Sequence, residues 1–303
     1  MRIITQELIY PEGPIALDDG SVLVVEIERQ TLSRVTAKGE IEVLAQVKGG
    51  PNGAAIGPGG DVFICNNGGM DWLREAGGTR PGLQSVDYAH GSIDVVDTKR
   101  GTVRRLYERC GEFQLKGPND IVFDHEGNFW FTDYGKRRSR DMDLGFVYWA
   151  RADGSEIRQV AEGLITPNGI GLSPDQRTLY VSETVTGRIW SWDVVGPGEL
   201  QKSPWPAIAG ARLVVGIGGQ VRFDGLAVTA AGNICVAALD AAAVYEFSPS
   251  GDVIDIYEVP DKLVTNICFG GTEMQTAFIT MSHKGCLAAV DWSAPGLRLP
   301  NQR

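Results

Sequence analysis

Glu12, Asn52, Asn119, Asn168, Asp224 and Asn266 share one local setting: each opens an apolar run that ends in a turn. The segments read PEGPIAL, PNGAAI, PNDIVF, PNGIGL, FDGLAV and TNICF. All six side chains carry donor oxygens, and Glu12 and Asp224 are anionic. Gathered around one axis, two carboxylates and several amide carbonyls form a hard oxygen set. It suits Ca²⁺, Mg²⁺ or Mn²⁺ and tolerates Zn²⁺ or Fe²⁺. A single divalent ion there relieves the repulsion between the two acids, polarises a carbonyl oxygen and acidifies a bound water. Any one of these residues alone is explained by an Asx turn at a strand start. Six aligned positions with acids at two of them point to a ring of ligands.

The elements that must position this ring are legible from spacing. The openings follow one another at intervals of 40 to 67 residues, the size of a four-stranded propeller blade. Within a unit, short alternating runs such as GIGLS, TLYVSE and RIWSWDV are bounded by Gly, Asp, Asn and Pro, and no comparable segment has a helical period. The sequence predicts an all-β, six-bladed propeller occupying residues 1–303 as one domain. The last unit supplies three strands, TNICFG, TAFITMS and CLAAVDW, while Ile3 to Ile9 precedes the first opening as a spare strand. That N-terminal strand is expected to close the sixth blade, since otherwise two edges stay unpaired.

Composition narrows the function classes. A net charge of −10 argues against a nucleic-acid partner, which needs a basic face. Cys65, Cys110, Cys235, Cys268 and Cys286 are odd in number, form no CxxC pair and mostly lie in apolar runs, so they read as reduced core thiols in a cytoplasmic protein. No stretch approaches the roughly 18 apolar residues of a membrane-spanning helix. His90, His125 and His283 accompany no G-x-S-x-G elbow or HExxH helix, and VVGIGGQV lacks the ending of a phosphate-binding loop.

The longest interval contains a Gly-rich insertion from Gly68 to Gly91, predicted to emerge at the ligand side as a lid. Gly135 to Gly145 carries Lys136, Arg137, Arg138 and Arg140 in the equivalent loop of the third unit. This basic run reads first as a solvated loop, though it can border the same pocket. Trp72, Tyr88 and Tyr134 are candidates for the pocket wall or for loop packing.

The openings PEGP, GPND, TPNG and FDGLAV, with hairpins such as FDHEGNFWFTD and LSPDQRTLYVSET, resemble the senescence-marker-protein, gluconolactonase and luciferin-regenerating-enzyme family over nearly the whole chain. The resemblance implies a six-bladed propeller with one divalent metal, hydrolysing a sugar lactone to its hydroxy acid. It places metal ligands at Glu12, Asn168 and Asp224, the proton-transferring residue at Asp224, and substrate contact at Asn119, to which Asn52, Tyr134 and Trp72 are added as pocket residues. Animal members carry Arg where this chain has Gly117, so their sugar contacts do not transfer. Three alternatives compete: a phosphotriesterase or aryl-ester hydrolase on the same site, a non-catalytic metal-stabilised binding propeller, and a strictosidine-synthase-like condensing propeller that leaves the two acids unexplained. The expected partner is a small-molecule lactone, with no nucleic acid and no membrane.

Overall fold

The computed structural model describes residues 1–302, and among them the only helical turn is the 3₁₀ segment Ile208–Gly210. Six antiparallel sheets form the blades of a propeller. Their innermost strands are Pro11–Ala16, Pro51–Ile56, Pro118–Phe123, Pro167–Leu172, Arg222–Val228 and Val264–Gly270. Each strand pairs outward with the next in sequence, as the hairpin grammar predicts. Two blades depart from the plain pattern. The second is interrupted by a separate hairpin, Met70–Glu75 with Gly78–Gln84, and in the fourth the strand Arg188–Gly196 pairs with both Glu199–Gln201 and Arg212–Gly216.

Closure is as expected. Arg2–Thr5 adds to the outer edge of the last blade beside Cys286–Asp291, with Arg2 opposite Ala289 and Ile3 opposite Ala288. The ends of the chain therefore share one sheet, and neither edge is left as an open template.

The apolar core is divided among the six inter-blade seams. Trp130 and Trp149 of the third blade pack on Trp190 and Trp192 of the fourth, and Ala16, Val22 and Val24 of the first meet Phe278 and Leu287 of the last. Both faces of each sheet are covered, so inner strands read as continuous apolar runs rather than alternating ones. Fully burying one such aliphatic or aromatic side chain contributes about 1.5–3 kcal/mol.

One irregularity recurs in every blade. The inner strand begins in register, as with Pro51 opposite Asn66, then slips by one residue before Ala54 meets Ile64. The same slip separates Pro118 from Ile121, Pro167 from Ile170, Phe223 from Leu226 and Val264 from Ile267. In five blades this bulge frees Asn52, Asn119, Asn168, Asp224 or Thr265 from the ladder and re-aims its side chain, while in the first blade Glu12 still faces Val25 and the slip follows it. The next residue is Gly in four blades, at Gly13, Gly53, Gly169 and Gly225, because the inner strands approach closely there. A Cβ on Gly13 would lie 2.7 Å from the Asn52 carbonyl oxygen, and one on Gly169 would lie 2.7 Å from that of Asp224.

Candidate metal and substrate site

The second residue of five inner strands, and the third of Arg222–Val228, faces one cavity of about 360 Å³ at the mouth of the channel. Glu12, Asn52, Asn119, Asn168 and Asp224 line it and are all buried. The sixth place belongs to Thr265, not Asn266. Counting from the shared ladder start, Val264 corresponds to Pro11, so Asn266 falls one residue late, in the layer of the glycines. There its Nδ2 donates to Glu12 Oε2 at 2.8 Å. Asp120 occupies the same lower layer, where its carboxylate accepts from the Ile121 backbone at 2.9 Å.

The electrostatics of the ring are unbalanced in the protein alone. Burial pushes Glu12 up to about 8, helped by the charge of Asp120, against hydrogen bonds from Asn266 and Gly13. Asp224 is raised well above the ordinary carboxylate range by burial and then by Glu12. Arg222 offsets this only in part, because its guanidinium is held by Asp240 at 2.6 and 3.0 Å. Asn168 donates through Nδ2 to Thr184 Oγ1 at 3.0 Å, which leaves its Oδ1 available to the cavity. Glu12 spends Oε2 on Gly13 and Asn266, leaving Oε1. Two carboxylates with free amide oxygens fit a hard divalent cation. Among the described residues no group of three His, Cys, Asp or Glu side chains gathers to hold a metal, so the donor set depends on the amides.

The ring is braced by residues that the strand-opening pattern does not include. The second strand of several blades ends in an acid or amide that ties down the loop entering the inner strand of its own blade. Glu26 accepts from Ile9 N at 2.7 Å, Asn66 from Gly50 N at 2.8 Å, Asp133 from Gly117 N at 2.6 Å and Glu183 from Ile165 N at 2.6 Å. Hydroxyls one residue earlier reach sideways to the neighbouring blade: Thr132 donates to the Asn168 carbonyl at 2.5 Å and Ser182 to that of Asp224 at 2.6 Å. The repeated strand endings VVE, ICN, FTD and VSE are the signal in the sequence that marks these braces.

The predicted lid is the extra hairpin of the second blade. Arg74 pairs with Glu28 of the first blade, Thr79 N donates to His283 O of the sixth at 3.2 Å, and Gln84 N donates to Arg137 O of the third at 2.9 Å. Met70 and residues 80–84 line the cavity. Trp72 does not line it; its ring stands 4.8 Å from Tyr10, which does. Tyr10 adopts a φ of 56° immediately before Pro11, a costly conformation for a bulky residue that lines the cavity. Tyr134, Lys136 and Arg137 are cavity residues, whereas Tyr88 lies behind them with its ring 4.8 Å from Lys136 Nζ. Arg138 turns away onto Asp141 and Asp143. No histidine lines the cavity, and no helix among the described residues is long and apolar enough to cross a membrane.

A family model described as the SMP-30/Gluconolactonase/LRE-like region matches residues 10–283. A gluconolactonase of Zymomonas mobilis is 25% identical over 308 aligned residues, covering 93% of this chain and 79% of the relative. The diisopropyl-fluorophosphatase of Loligo vulgaris is 29% identical, covering 65% of this chain and 64% of the relative. Among solved structures, a calcium-binding protein, regucalcin, from Agrobacterium tumefaciens superposes with a TM-score of 0.76 at 20% identity, covering 100% of this chain and 97% of that one.

Proposed function

The chain belongs to the SMP-30/gluconolactonase/LRE-like family, and on that premise we propose that it is a carboxylic-ester hydrolase that opens a sugar lactone with the help of one divalent cation. The observation that carries the reading is that two buried acids, Glu12 and Asp224, line one cavity beside free amide oxygens, with the charge of Glu12 raising the proton affinity of Asp224. Glu12, Asn168 and Asp224 hold the cation. When bound, it supplies Lewis-acid polarisation of the lactone carbonyl.

Everything else falls to the protein. Asp224 accepts a proton from the attacking water and returns it to the ring oxygen as the C–O bond breaks, acting as base and then acid. Asn119 and Asn52 orient the ring oxygens of the substrate by hydrogen bonds, and Tyr134 contacts it from the neighbouring wall. Tyr10, pressed from behind by Trp72, and the hairpin above it exclude bulk water, so that the polar contacts act in a poorly solvated space. Trp72 therefore serves the pocket through Tyr10.

The test is a panel of aldonolactones followed with a pH indicator on chelated protein restored with Ca²⁺, Zn²⁺, Mn²⁺, Mg²⁺ or Fe²⁺. Turnover that vanishes on chelation and returns with one ion supports the reading; turnover indifferent to chelation refutes the cation's role. A second reading, phosphotriester or aryl-ester hydrolysis on the same ring, is favoured by the likeness to the squid diisopropyl-fluorophosphatase. A faster rate with an organophosphate than with any lactone selects it.

A further inference from the structure

Among the described residues four cations line the cavity, Arg80, Lys136, Arg137 and Arg222, and they are not equivalent. Arg222 is neutralised by Asp240 and Arg80 by Glu75. Lys136 and Arg137 make no ion pair among the described residues: Asp141 and Asp143 are taken by Arg138, and Asp133, whose charge does reach Lys136, spends its oxygens on the backbone amides of Lys116, Gly117 and Gly135, leaving the Tyr88 ring as the other support of the ammonium. Lys136 is only 5% exposed, and its Nζ is held by the Gly69 carbonyl at 2.7 Å and by Asn67 Oδ1 at 3.4 Å. An ammonium buried to this degree without a paired carboxylate is costly.

A second, independent observation lies beside it. Asn67 also lines the cavity and is 4% exposed, yet its Nδ2 has no acceptor in the protein. Its Oδ1 already accepts from Gly69 N at 2.8 Å and from Lys136, so the amide cannot turn to satisfy the nitrogen without losing both contacts. Buried orphan donors are rare in native proteins. An oxyanion reaching this corner, directly or through a water, supplies the missing acceptor and the missing charge together. The only acids lining the cavity, Glu12 and Asp224, belong to the ring. The cavity is thus divided into an anionic floor and a cationic outer wall, on a chain whose net charge is −10.

We propose that Asn67, Lys136 and Arg137 form an anion-recognition corner, and that the preferred substrate is a lactone carrying a carboxylate on the carbon farthest from its carbonyl. This rests on the lactonase reading for the reaction and adds the substrate class. The matched probes are galactono-γ-lactone and galactaro-γ-lactone, which differ by a terminal hydroxymethyl or carboxylate, and their ring-opened acids, galactonate and galactarate.

The deciding measurement is calorimetric binding of the two acids to calcium-saturated protein at low ionic strength. Galactarate is expected to bind at least about tenfold more tightly, about 1.4 kcal/mol, and added salt should narrow the gap. Arg137→Gln should shrink the ratio of affinities several-fold. Arg140→Gln makes the same change in net charge outside the cavity and should leave the ratio alone. Equal affinities in the unaltered protein, or equal effects of the two variants, overturn the proposal. Because Lys136 is buried, Lys136→Met is read only alongside a melting curve, and Arg137→Gln is the variant that decides. Hydrolysis is scored separately. If galactono-γ-lactone is opened but the affinity gap is absent, the anion corner fails and the lactonase reading stands. If neither lactone is opened yet the gap responds to Arg137→Gln, the lactonase reading fails and the anion corner stands.

Discussion

The same six inner strands build both ends of the channel, and the two ends have opposite chemistry. At the mouth each strand presents one polar residue, Glu12, Asn52, Asn119, Asn168, Asp224 or Thr265, and these side chains surround a cavity of about 360 Å³. At the far end the same strands present Pro14, Ala16, Phe123, Leu172, Val228 and Phe269 around a space of about 80 Å³. The C-terminal segment closes that end. Leu297 N donates to Val228 O at 2.9 Å and Gln302 Nε2 to Phe269 O at 2.8 Å. Between the two lies the bulged layer of Gly13, Gly53, Gly169 and Gly225, entered only by the side chains of Asp120 and Asn266. Strain and unpaired charge collect at the mouth, while the far end is paired and apolar. Such segregation places the instability where a ligand can relieve it.

Substitutions at the two ends should therefore separate catalysis from stability. Asp224→Asn keeps a donor oxygen and the shape but removes the proton acceptor. It is expected to lower kcat on the order of 10³-fold while the circular dichroism spectrum is unchanged; near-normal kcat would strike Asp224 from its role.

Removing the cation should reveal the cost of the mouth. With Glu12 at about 8 in the folded protein against an ordinary 4.5, and Asp224 also raised, the unfolded chain gives up these protons first as pH rises. The contribution of these two acids in the stripped protein is then fully present below the ordinary carboxylate range and is lost as pH rises through about 8, on the order of 5 kcal/mol for Glu12 alone. The loaded protein, whose carboxylates stay charged and paired, should not show this loss. Thermal melts of both forms across that window check it, and parallel curves would count against a cation between the acids.

Ser182→Ala leaves the buried Asp224 carbonyl without its donor and should cost about 1–2 kcal/mol of stability, together with weaker cation binding by calorimetry. A stability loss with unchanged cation affinity would mean that the hydroxyl supports the blade and not the ring. At the far end, Leu297→Ala is expected to cost only about 1 kcal/mol in urea denaturation, with kcat and cation affinity intact. A change in kcat there would show that the ends are coupled.

Much of this is legible without coordinates. The units, their strand grammar, the spare N-terminal strand and five of the six ring positions follow from turn chemistry, apolar runs and spacing, which are local properties of the chain. Asn266 reads one place too far because TNICF looks like the other openings, while only its pairing with Thr276–Met281 shows that Thr265 holds the equivalent place. A slip of one residue reverses the direction of a strand's side chains, so resemblance between segments cannot fix which face a residue joins. Trp72 likewise belongs to the right loop, yet folding sets Tyr10 in front of it. The loop of Lys136 and Arg137 is placed near the pocket by its position in the third unit, yet nothing in the spacing brings Asn67 of the second blade to the same corner. The sequence by itself determined which segments become strands and which residue types open them. Tertiary structure decided which side chains meet, because closing the ring sets blade against blade and sets the loops between them, and those distances are not written along the chain.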